Sequence, residues 1–199
     1  MVAADKAKKL LALLMNERNK VGLKVLHIRL RRELPSRDIV RQLEEIFKGF
    51  DVVWAASRPG LVLSPLHVFL VFYHTIKAFA LGKNISNKFS IEFLLRLVCE
   101  NQITHALGIA GIGDNVREFY LYVMSPSKET FEERLRALFS LAVEEIEQLD
   151  LSRLCETGPL LKILNISDEE LHASNYKSSV LSPELKSVLT RMSLLNIKK

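Results

Sequence analysis

The sequence predicts an α+β fold in one domain: a small, mostly antiparallel sheet packed against several helices. Three observations predict it. Residues 24–30 alternate apolar and polar side chains, and residues 118–124 set Phe119, Leu121 and Val123 against Tyr120, Tyr122 and Met124, with the period of two that a strand requires. Most of the remaining chain repeats its apolar residues at helical spacing. No internal repeat, low-complexity tract or linker rich in Gly, Ser or Pro divides the 199 residues.

Taken in order, residues 3–18 predict a helix with Leu10, Leu11, Leu14 and Met15 on one side. Residues 1–20 read as a basic, helical amino-terminal extension, and residues 21–199 as the domain proper. In the strand at 24–30, Leu26, Ile28 and Leu30 share one face, with His27 and Arg29 on the other. Pro35-Ser36 stops it, and Ser36 is read as the cap of a helix over 37–47 with the inner stripe Ile39, Val40, Leu43, Ile46 and Phe47. A short strand is expected at 52–56 and an extended piece at 61–63, separated by Arg58-Pro59-Gly60.

Ser64 and Pro65 then supply a cap and a first-turn proline, and Gly82 supplies a left-handed stop. The helix between them is apolar on nearly every side and is expected to be central. Helices follow at 90–99 and 103–110, then the strand at 118–124. Pro126-Ser127 is read as the start of a long helix to about 149, on the stripe Phe131, Leu135, Leu138, Ala142, Ile146 and Leu149. A short helical piece at 160–164, a capping box at Ser167–Glu170 and a last helix opened by Ser182-Pro183 complete the chain.

The residue inventory points away from catalysis. It contains no Walker loop, HExxH, GxSxG or paired CxxC motif. The glycines of residues 108–113 follow a helix and precede a strand, the reverse of a phosphate cradle, so they read as a helix-terminating turn. Cys99 and Cys155 form no disulfide framework. His67 and His74 are seven apart on one helical face, without a third metal ligand nearby. No apolar run is long enough to span a bilayer, and a cytoplasmic protein is expected. The net charge of +5 is concentrated: residues 1–33 hold nine Lys/Arg against three Asp/Glu, which suggests a polyanionic partner or a solvated basic face.

From residue 24 onward the chain resembles a known family. Leu61-Val62-Leu63, Ser64-Pro65, Leu81-Gly82-Lys83, Phe89-Ser90-Ile91-Glu92, residues 102–107 and Ala110-Gly111-Ile112 follow one another as they do in the smallest accessory subunit of the KEOPS (EKC) complex, the PRPK-binding-protein (TPRKB-like) family. The resemblance implies a non-catalytic subunit without a cofactor. It would bind the small KEOPS kinase/ATPase directly and the other KEOPS subunits indirectly. It would also help hold tRNA at its 3′ CCA end while another subunit makes threonylcarbamoyl adenosine. The loop departs from the family, which carries arginine where Asn87 stands and a basic residue where Ile85 stands.

On this reading Lys83, Lys88, His67 and Arg96 are the expected phosphate contacts, and Phe89 is the expected base platform. The apolar stripe Leu185, Val188, Leu189, Met192 and Leu195 of the last helix is the expected kinase surface, unless it packs on the chain's own core. Two other functions compete. One is a standalone RNA-binding domain that uses the basic residues 1–20. The other is a small enzyme with His67, Tyr73 and His74 facing a shared pocket.

Overall fold

The computed structural model describes residues 2–15, 21–126, 142–150, 158–175 and 181–195. In chain order the elements are α1 (Val2–Leu14), β1 (Gly22–Pro35), α2 (Ser36–Ile46), β2 (Val53–Ser57), α3 (Pro65–Ala80), α4 (Phe89–Leu97), α5 (Ile103–Ala110), β3 (Asn115–Ser125), β4 (Val143–Gln148), α6 (Gly158–Ile163), α7 (Asp168–Ser174) and α8 (Pro183–Leu194). The four strands pair antiparallel in the order β2-β3-β1-β4, so the α+β expectation holds.

Both faces of the sheet are covered, which is why β3 is apolar at successive positions. Phe119, Leu121 and Val123 join Leu26, Ile28 and Leu30 of β1 under Ile39, Leu43 and Ile46 of α2. Tyr120, Tyr122 and Met124 join Val25 and the side chains of α1, α3, α4, α5 and α8 on the opposite face. Helix α1 belongs to that larger core, with Ala7 and Leu10 fully buried.

Helix α3 lies where its composition places it. The Ser64 Oγ accepts from the His67 N–H at 3.1 Å, and Pro65 occupies the first turn. At the other end Gly82 adopts φ +64, and the Lys83 and Gly82 N–H groups donate to the Ala78 and Phe79 carbonyls. That is a Schellman closure. Two further helices close in the same way on non-glycine residues, α4 at Cys99 (φ 53) and α6 at Asn165 (φ 49).

Three expectations are corrected. Ser36 is the first residue of α2, and Pro35 holds the cap position without a side-chain hydrogen bond. The long helix to residue 149 is replaced at its end by strand β4, while residues 127–141, with Phe131, Leu135 and Leu138, lie outside the described residues, as does Cys155. In β4, Val143 pairs with Leu30 and Ile146 with Ile28, with a register shift between them. The bulge turns two apolar residues three apart to the same face, and that spacing imitates a helix. Third, Ser167 caps the Glu170 N–H at 3.2 Å, but the Glu170 carboxylate does not complete a capping box; it pairs with Arg191.

Gly111 and Gly113 end α5 as the sequence suggests. A Cβ on Gly111 would meet the Leu107 carbonyl oxygen at 2.4 Å, and Gly113 has φ +78. Arg58 completes this turn, donating from Nε to the Gly111 carbonyl at 3.2 Å and from Nη2 to the Gly108 carbonyl at 2.8 Å.

Candidate macromolecule-binding surfaces

The loop between α3 and α4 is shaped from inside. Glu92, in the first turn of α4, is fully buried. Its Oε2 accepts from the Ile85 and Ser86 N–H groups at 2.7 and 2.9 Å, and its Oε1 accepts from Arg96 Nη2 at 2.8 Å. Burial of that carboxylate is tolerated because two backbone donors and a guanidinium replace its water. Asn84 Nδ2 donates to the Ser86 carbonyl at 3.1 Å, and the Lys88 N–H donates to Ser86 Oγ at 3.2 Å. With its backbone fixed this way, the loop presents Lys83 and Lys88 at the surface.

Two of the expected RNA contacts are enclosed, and this corrects the sequence reading. Arg96 is 1% exposed and serves the Glu92 carboxylate. His67 is fully buried at the start of α3, where its Nδ1 accepts from the Leu63 N–H at 3.4 Å. Burial pushes its pKa down from 6.5 to about 4, against a smaller upward pull from the Leu97 backbone. Phe89 is half-buried between Phe72 and Phe79, with centroid separations of 6.3 and 5.5 Å. Ile85 packs partly against the core, so a projecting basic side chain has no counterpart at that position.

Beside the loop lies a groove that the sequence reading missed. A cavity of about 520 Å³ is lined by Lys6 of α1, Glu44 of α2, Trp54 of β2, and Asn87, Lys88 and Phe89. A second recess of about 200 Å³ shares Trp54, Lys88 and Ser90 and continues to Leu94, Leu107 and Ile112. Trp54, the chain's one tryptophan, stacks on Phe47 at 5.8 Å. Lys6 donates from Nζ to the Phe50 carbonyl at 2.5 Å, which holds α1 against this wall. A lone tryptophan on a short strand was the available signal. Its place beside Lys88 and Leu107 depends on the 83–88 loop and α5, which are distant in sequence.

The carboxyl-terminal stripe faces mostly inward. Val188 and Met192 are fully buried in the larger core, and Leu185 and Leu195 are nearly so. Leu189 is half-buried, and Leu194 is 44% exposed, as is Ile163 of α6 at 40%. Arg191 joins α8 to its neighbours through the Glu170 carboxylate and the Leu164 carbonyl. Cys99 also meets this helix: its Sγ donates to the Val188 carbonyl at 3.4 Å, and burial pushes the thiol up to about 12, which makes it a structural thiol.

Residues 33–191, which is 159 of the 199, match the family of kinase binding protein CGI-121. The chain belongs to that family. The matched span contains the loop, most of the groove and α8 as far as Arg191, and leaves out α1, most of β1 and Leu194. It shows the kinase-binding family as such and does not carry the narrower TPRKB-like label. No curated protein matches the chain. Membership agrees with the reading of a binding subunit that is not itself an enzyme. The residues considered for an enzyme have separate settings: His67 is buried, with its Nδ1 on the Leu63 N–H, whereas Tyr73 and His74 meet edge to face at 5.6 Å and His74 lines a recess with Lys77 and Lys83. No helix among the described residues is long and apolar enough to cross a membrane.

Proposed function

We propose that this family member is the accessory subunit of a cytoplasmic KEOPS complex, the PRPK-binding (TPRKB-like) protein of that assembly. In this reading it holds the small KEOPS kinase/ATPase on one surface and the 3′ end of tRNA on another, and other subunits perform the threonylcarbamoylation. The family match supports the kinase half. The observation that carries the RNA half is the groove, where Trp54, Phe89 and Lys88 line one cavity. Splayed bases stack on aromatic side chains while cations meet the backbone, and that combination suits a single-stranded end.

The kinase docks on the outward side of α8, through Leu189 and Leu194, with Ile163 adding apolar surface. Pull-down of the kinase by Leu189→Glu and Leu194→Glu variants tests this docking. Loss of co-purification by folded variants is the expected result, and retention by both removes α8 from the interface. Leu195→Glu is a poor probe, because that side chain is buried. For RNA, Trp54→Ala is expected to weaken binding of a CCA-ending single strand by roughly tenfold or more, since stacking contributes about 1–3 kcal/mol per base. Unchanged affinity for Trp54→Ala and Lys88→Gln would remove the groove from RNA binding. Deleting residues 1–20 separates this reading from a standalone domain that binds through its basic extension. The deletion also strips Ala7 and Leu10 from the core, so Lys8→Gln with Lys9→Gln is the cleaner probe.

A further inference from the structure

At the other end of the same loop, the last turns of α3 enclose a recess of about 180 Å³ lined by His74, Lys77, Ala78, Leu81 and Lys83. Among the described residues of that lining, every polar side chain is basic. His74 and Lys77 are three apart and so lie on one face of the helix. The Schellman closure at Gly82 folds Lys83 back over the same turn, with its N–H on the Ala78 carbonyl at 2.8 Å. Lys77 is steadied by the Tyr73 ring, whose centroid is 5.8 Å from Nζ.

We propose that this recess is a second phosphate-binding site, which takes the backbone of the strand whose 3′ end lies in the groove. A cation near a helix carboxyl end is ordinary, because it meets the negative pole of the helix. Two lysines and a histidine around one recess exceed what that pole requires, and a phosphate matches them by taking charge from the lysines and a hydrogen bond from the ring. The half-buried His74 ring is held toward its neutral form by desolvation and by the charges of Arg96 and Lys77, so it offers a hydrogen bond while Lys77 and Lys83 carry the charge of the recess. Lys83 lines the recess and Lys88 lines the groove. At most about 18 Å of extended chain separates them, which a short strand can bridge. Cations at both ends of the loop would then fix the path of the strand along it. This inference rests on the RNA reading of the groove.

The test uses the full-length protein and two single-stranded RNAs ending in CCA, one of about four nucleotides and one of about ten. The variant His74→Gln/Lys77→Gln is expected to weaken the longer RNA by roughly threefold to fivefold and to reduce its salt slope by about 0.7 for each phosphate that the recess no longer neutralises, while the shorter RNA is unaffected. Trp54→Ala is expected to weaken both. If the recess variant binds both RNAs as the parent does while Trp54→Ala loses both, the recess proposal falls and the groove stands. If Trp54→Ala has no effect on either RNA, the groove reading falls. Equal weakening of both RNAs by the recess variant also overturns the proposal, because the site then does not act at a distance from the 3′ end. Loss of kinase co-purification with RNA binding intact would assign the recess to an acidic protein segment instead.

Discussion

The α3–α4 loop and helix α8 were both legible as binding surfaces in the sequence, and the fold uses them in opposite ways. The loop carries polar and basic residues, and the structure fixes it by placing a carboxylate underneath. Glu92 holds the Ile85 and Ser86 amides and pairs with Arg96 while fully removed from solvent. Helix α8 carries an apolar stripe, and the structure uses most of that stripe in its own core, leaving Leu189 and Leu194 toward solvent. An exposed surface is therefore what remains after internal demands are met. In the loop those demands concern hydrogen bonds. In the helix they concern volume.

The sharpest test of the contrast is Glu92→Ala. It leaves the Arg96 guanidinium buried without its carboxylate and removes the acceptor for two amides, so a loss of about 3–5 kcal/mol is expected in urea unfolding. A loss below about 1 kcal/mol would mean that the loop is not held from inside. Met192→Ala tests the helix: about 2–5 kcal/mol is expected for a buried methionine, whereas Leu194→Glu should stay within about 0.5 kcal/mol. Equal effects at the two positions would erase the distinction between the inner and outer sides of α8.

A third expectation concerns acid. The His67 imidazole takes a proton below about pH 6.5 in the unfolded chain, while in the folded chain it stays neutral down to about 4. Its contribution is complete above about 6.5 and is lost as pH falls toward 4, at about 1.4 kcal/mol per pH unit and roughly 3 kcal/mol in all. Comparing the pH dependence of parent and His67→Leu unfolding isolates this contribution, and parallel curves would remove it. A smaller loss than those of the buried groups is expected for Arg58→Ala. Its hydrogen bonds to the Gly108 and Gly111 carbonyls lie partly in solvent, so about 1–2 kcal/mol of thermal stability should be lost. An unchanged Tm would show that α5 is closed by its glycines alone.

Much of the architecture could be read locally. Ser64, Pro65 and Gly82 bound α3 because capping and left-handed backbone are decided within four residues. Ile103 to Ala110 matches the predicted helix at both ends. Strand β4 could not be read this way, because its bulge gives Val143 and Ile146 the spacing of a helix and only pairing with β1 discloses the strand. The cap expected from Ser36 failed for a similar reason: β1 runs on to Pro35, and its pairing with Asn115 sets where the strand ends.

The binding residues divide along the same line. Lys83 and Lys88 were found because a polar loop after a helix stop is exposed by its own chemistry. His67 and Arg96 were misplaced as surface cations, since an i,i+4 Glu92–Arg96 pair or a histidine in a first turn reads the same in sequence whether the surrounding fold leaves it at the rim or encloses it. That difference comes from Leu63 and Leu97 around the first, and from Glu92 and the loop amides around the second. The amino-acid order alone determined the α+β class, the limits of the central helix, the basic loop and the family resemblance, because each rests on backbone preferences or on residues close in sequence. Only the tertiary structure decided which charges meet solvent, which apolar stripe becomes core and where Trp54 opens a groove, because burial is set by neighbours that arrive from far along the chain.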